Sequence, residues 1–275
     1  MVGYAHTSNE ETQITIASQW NFGLAVFFIL IYVVYALNMR KENEFVKKAV
    51  YFFFALITFY LALGSPLHLL GDEYLFSAHM LEQSLVYIAF PPLFLLSLPE
   101  EWVKPIVIMG LRIKILSFLK YPLIPLILFN VLFSFYHMPM IFNTVVSNEI
   151  LHNLTHIILT ITAIFMWVPL IPVVKELDCL SDIQKIGYIF AAGILLTPAC
   201  ALIIFSNESF YTVYENAPQI FAILPPLEDQ KTGGIIMKVV QEIVYGTMIG
   251  YIFFHWAKKE RLKDKNVTIT GVVNG

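Results

Sequence analysis

Five of the seven histidines in this chain of 275 residues fall in three short stretches. His68 and His79 lie in residues 64–83, GSPLHLLGDEYLFSAHMLEQ. His137 lies in residues 135–140, FYHMPM. His152 and His156 lie in residues 151–156, LHNLTH. The four-residue spacing of His152 and His156 puts two imidazoles about 40° apart on one helical face, one turn from each other. That is a usual way for a helix to offer two ligands to one metal ion. His79 and Gln83 repeat the spacing, with Glu82 beside them. Imidazole suits copper, zinc, iron and nickel, and a thioether favours Cu(I). Met80, Met138 and Met140 adjoin the histidines, so the donor mixture leans towards copper. Methionine is also a common filler of apolar packing, and the Met-Pro-Met run at 138–140 reads as a helix end before it reads as a metal motif.

The elements that must position these residues are membrane helices. Hydrophobic residues make up 58% of the chain and charged residues only 13%, about half the charged share of a soluble domain. A helix needs about 20 apolar residues to span a bilayer. On that measure the chain is an all-α integral membrane protein, a single domain over residues 1–275, with seven transmembrane helices. The expected spans run over residues 20–39, 49–66, 76–98, 121–137, 151–173, 184–206 and 235–257. Two-residue alternation is missing from these runs, which argues against a β-barrel. Residues 1–19 are polar and lack a basic n-region, so the first span is expected to be retained rather than cleaved. Cys179 and Cys200 make no disulfide framework. Basic residues are spread over several loops, so no nucleic-acid partner is expected; the bilayer itself is.

Fifteen of the 17 Lys and Arg residues fall in alternate connections and the C-terminal tail. The positive-inside rule then places the N-terminus outside and the C-terminus in the cytoplasm. On this topology His68, His79, His137, His152 and His156 share the outer face. His6 falls in the outer tail and His255 at the cytoplasmic end. Glu82 and Glu242 sit in the outer thirds of their spans, where ionisable groups are costly and face the bundle interior. Either could be a ligand, an acceptor from a histidine N–H, a proton carrier, or a hydrogen-bonded lock between helices. Residues 100–120 read as an interfacial helix or a packed loop. Residues 207–234 form the longest connection, expected to act as a lid, a docking surface or a structured cap.

Three chemistries fit the histidine side. One is copper binding, with His152 and His156 as a pair and His79, His137 and His68 completing the shell. Another is a zinc-dependent membrane hydrolase, in which three of the same histidines with an acid, Asp72 or Glu82, hold zinc and activate water at an open coordination position. The third is haem b, held by two axial histidines from different helices.

The stretches GSPLHLLGDEYLFSAHMLEQSLVYIAFPPLFLL, FYHMPMIFN and HNLTHIILTITAIFMWVPL resemble the CtaG cytochrome c oxidase assembly factor family of Bacillus-type bacteria. The resemblance covers roughly residues 20–257. This family is polytopic and differs from the single-span copper chaperone of proteobacteria that shares its name. The resemblance implies a non-catalytic role in the bacterial plasma membrane, with cytochrome c oxidase subunits as partners. It also implies that copper is supplied to a caa-type oxidase, through the five histidines that lie in the matching stretches.

Overall fold

The computed structural model describes residues 19–40 and 44–273, with side chains up to residue 262. His6 lies outside the described residues. Every described element is helical, as expected where a backbone in hydrocarbon must satisfy its own hydrogen bonds. Helices α1 (Phe22–Met39) and α2 (Phe45–Leu63) are followed by a short α3 (Pro66–Glu73) and the long α4 (Phe76–Ser97). Then come α5 (Glu100–Arg112), α6 (Leu123–Tyr136), α7 (Pro139–Val146), α8 (Glu149–Trp167), α9 (Asp182–Ile204), the one-turn α10 (Thr212–Glu215) and α11 (Pro226–Val273). Six of them, α1, α2, α4, α8, α9 and the Pro226–Leu262 part of α11, are long and apolar enough to cross a membrane. The chain is therefore a multi-pass membrane protein.

The fourth expected span, residues 121–137, is the one that departs from a straight rod. α6 has 14 residues, about 21 Å of helix, which is short of a bilayer core of about 30 Å. α7 continues it at a bend of 78°. Pro139 explains the break: a residue before proline is driven out of the helical region, and Met138 is extended, at φ −65° and ψ 128°. The two helices make either a seventh, broken span or a re-entrant loop.

The last span also begins earlier than residue 235. Pro226 opens α11, and Glu228 and Asp229 sit in its first turn, a start that suits both proline's fixed φ and the positive end of a helix. The later part of the 207–234 connection is therefore helix. α5 bears out a helix in the 100–120 stretch, with Ile106 and Met109 exposed.

α4 is the axis of the bundle. Of its most apolar window 61% is buried, against 11% for α1, which packs at the periphery, chiefly on α2. α2, α3, α8 and α11 all pack against α4, and α6 and α9 close the ring through α8 and α11. Two features set its course. Leu75 offers no side-chain cap at its start; the carboxylate of Asp229 on α11 instead accepts from the backbone N–H groups of Phe76 (2.6 Å) and Ser77 (3.2 Å). Midway, Pro91 and Pro92 lack the N–H that would bond four residues back. The preceding turn, Leu85–Ala89, widens into a π-helical turn in which Phe90 N–H reaches Leu85 O. Such turns slow the rotation of side chains around the axis, and this one keeps Tyr87 on the face of His79 and Gln83.

Candidate metal centre

His79, on α4, and His152 and His156, on α8, come together. One ring nitrogen from each lies within 4.8 Å of the others. Ring centroids are 4.4 Å apart for His152 and His156, 5.4 Å for His79 and His156, and 5.7 Å for His79 and His152. All of this is buried or nearly so: His79 is 0% and His152 9% exposed.

The far nitrogens of two rings are held by partners. Tyr87 Oη lies 3.0 Å from His156 Nδ1. Tyr136 Oη lies 2.9 Å and the Gln83 amide 2.8 Å from His79 Nε2. What remains is His79 Nδ1, His156 Nε2 and His152 Nε2, each buried and without a hydrogen-bond partner. A buried polar atom left unpaired is costly, and three in one cluster could all be satisfied by a single cation. The Gln83 amide oxygen is also unpaired. A half-turn of that amide lets its oxygen accept from His79 Nε2–H, which leaves the Nδ1 lone pair free for a metal. The residues therefore fit an ion held by three imidazoles.

α3 folds back over α4 to build the rim. Gly71 makes this possible, since a Cβ there would sit 3.0 Å from the backbone of His79. Tyr214, from the 207–234 connection, hydrogen-bonds Gly71 O at 2.6 Å. Tyr211 stacks on Phe76 at 4.3 Å and donates to His137 O. These buried tyrosines make that connection a structured cap over the histidines.

The other expected site residues fall elsewhere. His68 is away from the three imidazoles; its Nδ1 is 3.2 Å from Glu82 and its Nε2 3.5 Å from Asp72. The hydrogen bond to Glu82, with the charge of Asp72, holds the His68 imidazole up at about 9. His137 is buried behind Tyr136, with Nδ1 donating to Phe133 O at 2.9 Å and Nε2 unpaired. It is not within ligand distance of the other three. Glu242 is 63% exposed and paired with Lys238 at 2.8 Å. Met138 and Met140 point outward, and Met80 packs towards Gly233 of α11. His255 stacks with Tyr251 near the far end of α11. Cys200 is buried and Cys179 exposed, both free. Tyr87, Tyr136, Gly71 and Asp229 were not singled out from the sequence. A signal existed for Tyr87: it continues the four-residue spacing of His79 and Gln83.

A family model described as cytochrome c oxidase caa3 assembly factor (Caa3_CtaG) matches residues 30–259. No curated protein and no solved structure matches the chain.

Proposed function

Because the chain belongs to the cytochrome c oxidase caa3 assembly factor family, we propose that it serves oxidase assembly by carrying Cu(I) on His79, His152 and His156. The observation that carries the reading is that three histidines meet inside the bundle, one ring nitrogen of each within 4.8 Å of the others, and that each keeps a buried ring nitrogen without a hydrogen-bond partner. Charge favours the monovalent ion. The triad and its partners Tyr87, Tyr136 and Gln83 are all neutral donors. A 2+ ion whose own ligands carry no charge is more costly in a low-dielectric interior than a 1+ ion. Imidazole is a good ligand for copper. Haem b takes two axial imidazoles from opposite faces of one iron, whereas three imidazoles converge here.

In this reading the histidine end of the bundle faces outward and the Lys- and Arg-rich connections face the cytoplasm, in line with the positive-inside rule. A cavity of about 410 Å³, lined by His68, Glu82, His152 and His156, leads to the triad between α2 and α8. Three ligands leave a position for a competing donor, so an acceptor on an oxidase subunit could draw the ion away without the fold opening. The protein transports its cargo and has no reaction of its own to catalyse.

The test is an anaerobic Cu(I) titration of the purified protein in detergent against a competing chelator, beside His152→Ala/His156→Ala. Binding of one Cu(I) per chain that collapses in the variant supports the reading. Zinc held in place of Cu(I), or Cu(I) binding unchanged in the variant, overturns it.

A further inference from the structure

We propose that His68, Asp72 and Glu82 form a second cation site, separate from the imidazole triad, that takes a divalent transition ion such as Zn²⁺ or Cu²⁺. The inference stands whichever ion the triad holds.

His68 and Asp72 are one turn apart on α3, and Glu82 faces them from α4. One donor atom from each lies within 4.8 Å of the others. Glu82 is only 1% exposed, yet a single one of its oxygens has a hydrogen bond, to His68; Asp72 Oδ1 is buried with no partner. Two carboxylates thus face one imidazole, which is their sole ion-pair partner among the described residues. A protonated His68 can balance only one of the two charges. A divalent ion with neutral His68 and both carboxylates gives a neutral cluster, which spares a group at the edge of a bilayer the cost of a net charge.

The donor set separates the two sites. Carboxylate oxygens are hard donors that suit divalent ions, whereas three imidazoles also accept soft Cu(I). Access separates them too. The His68 and Asp72 side chains are 42% and 31% exposed, so this site meets water, while the triad lies deeper. Glu82 and His68 line the same cavity as His152 and His156. An ion held by His68, Asp72 and Glu82 would therefore border the cavity shared with His152 and His156.

Two measurements on the full chain in detergent test this. The first counts Zn²⁺ by calorimetry after chelator treatment, in the wild type and in Asp72→Asn. Asp72 is at the rim, so the change does not threaten the fold. The variant is expected to bind one Zn²⁺ fewer per chain, or to bind that ion about 10- to 100-fold more weakly. Equal stoichiometry and affinity overturn the site and leave an imidazolium bridging two carboxylates. The second is the Cu²⁺ electron paramagnetic resonance of His79→Ala/His152→Ala/His156→Ala. One bound Cu²⁺ with hyperfine coupling to a single nitrogen is expected. No bound Cu²⁺ in a variant with a cooperative thermal melt, or coupling to several nitrogens, counts against the site. Failure of the Cu(I) reading shows separately, as loss of Cu(I) binding by the wild type.

Discussion

Asp229 accepts a hydrogen bond of 2.6 Å from the backbone N–H of Phe76, across 153 positions of sequence. The contact caps α4 three residues before His79, so a carboxylate on the last helix fixes the height of a ligand on the fourth. Loss of a cap costs about 0.5–2 kcal/mol. Asp229→Ala is expected to lower the stability of the protein by an amount in that range, and to weaken Cu(I) binding with it. Asp229→Asn keeps an acceptor without the charge and is expected to fall between the two. Thermal melts and Cu(I) competition on the same three samples check the order. A Cu(I) affinity that stays at the wild-type value in Asp229→Ala would detach the cap from the site.

Tyr87 holds Nδ1 of His156 at 3.0 Å, and Gln83 holds Nε2 of His79 at 2.8 Å. Partners of this kind orient a ligating imidazole and set which nitrogen carries the proton; removing one weakens metal binding about 10- to 100-fold. Tyr87→Phe and Gln83→Leu are each expected to show a loss of that size in Cu(I) competition. Tyr35→Phe is the control. It removes a 2.6 Å bond to Ser97 O at the other end of α4, and is expected to lower stability while leaving Cu(I) affinity unchanged.

The spans and the His152–His156 pair were legible because both depend on local pattern: an apolar run, and a four-residue spacing on one helix. The grouping of the remaining histidines was not, because it depends on tertiary contacts. His68 and His79 share a short stretch, yet the chain turns at Tyr74–Leu75 and lays α3 against α4 at Gly71, so His68 meets Glu82 while His79 turns to α8. His137 and Tyr136 are adjacent; the bend after α6 puts the phenol at His79 and the imidazole behind it. That bend also turns Met138 and Met140 outward. For Glu242 the local signal was there: Lys238 precedes it by four residues, the spacing of a helical ion pair, and the two are 2.8 Å apart.

His68 makes one part of the fold dependent on pH. In the folded, metal-free protein Glu82 first, then Asp72, raise its pKa from the ordinary 6.5 to about 9. Between these values the folded chain binds a proton that the unfolded chain does not, so stability falls as pH rises. The contribution is complete below about pH 6.5 and gone above about pH 9. His68→Gln removes it. The wild type is therefore expected to melt above His68→Gln at pH 6, with the gap closing through pH 7 to 9. Melts in the presence of a chelator read this directly. A gap that does not change with pH would show that His68 contributes by packing alone.

The choice of ion at the triad should follow its charge. His152 is 9% exposed against 0% for His79, so a charged side chain there lies nearer water than one at His79, and a glutamate side chain reaches about as far as its Nε2. His152→Glu would exchange a neutral donor for an anionic, harder one without emptying the site. A carboxylate stabilises a divalent ion more than a monovalent one in a low-dielectric interior, and hard donors disfavour Cu(I). Cu(I) affinity is expected to fall about tenfold or more and Zn²⁺ affinity to rise, so their ratio moves by two orders of magnitude or so. Parallel titrations with Cu(I) under nitrogen and with Zn²⁺ measure that ratio. If both affinities fall together, the variant has only lost a ligand, and the neutrality of the triad is not what selects its ion.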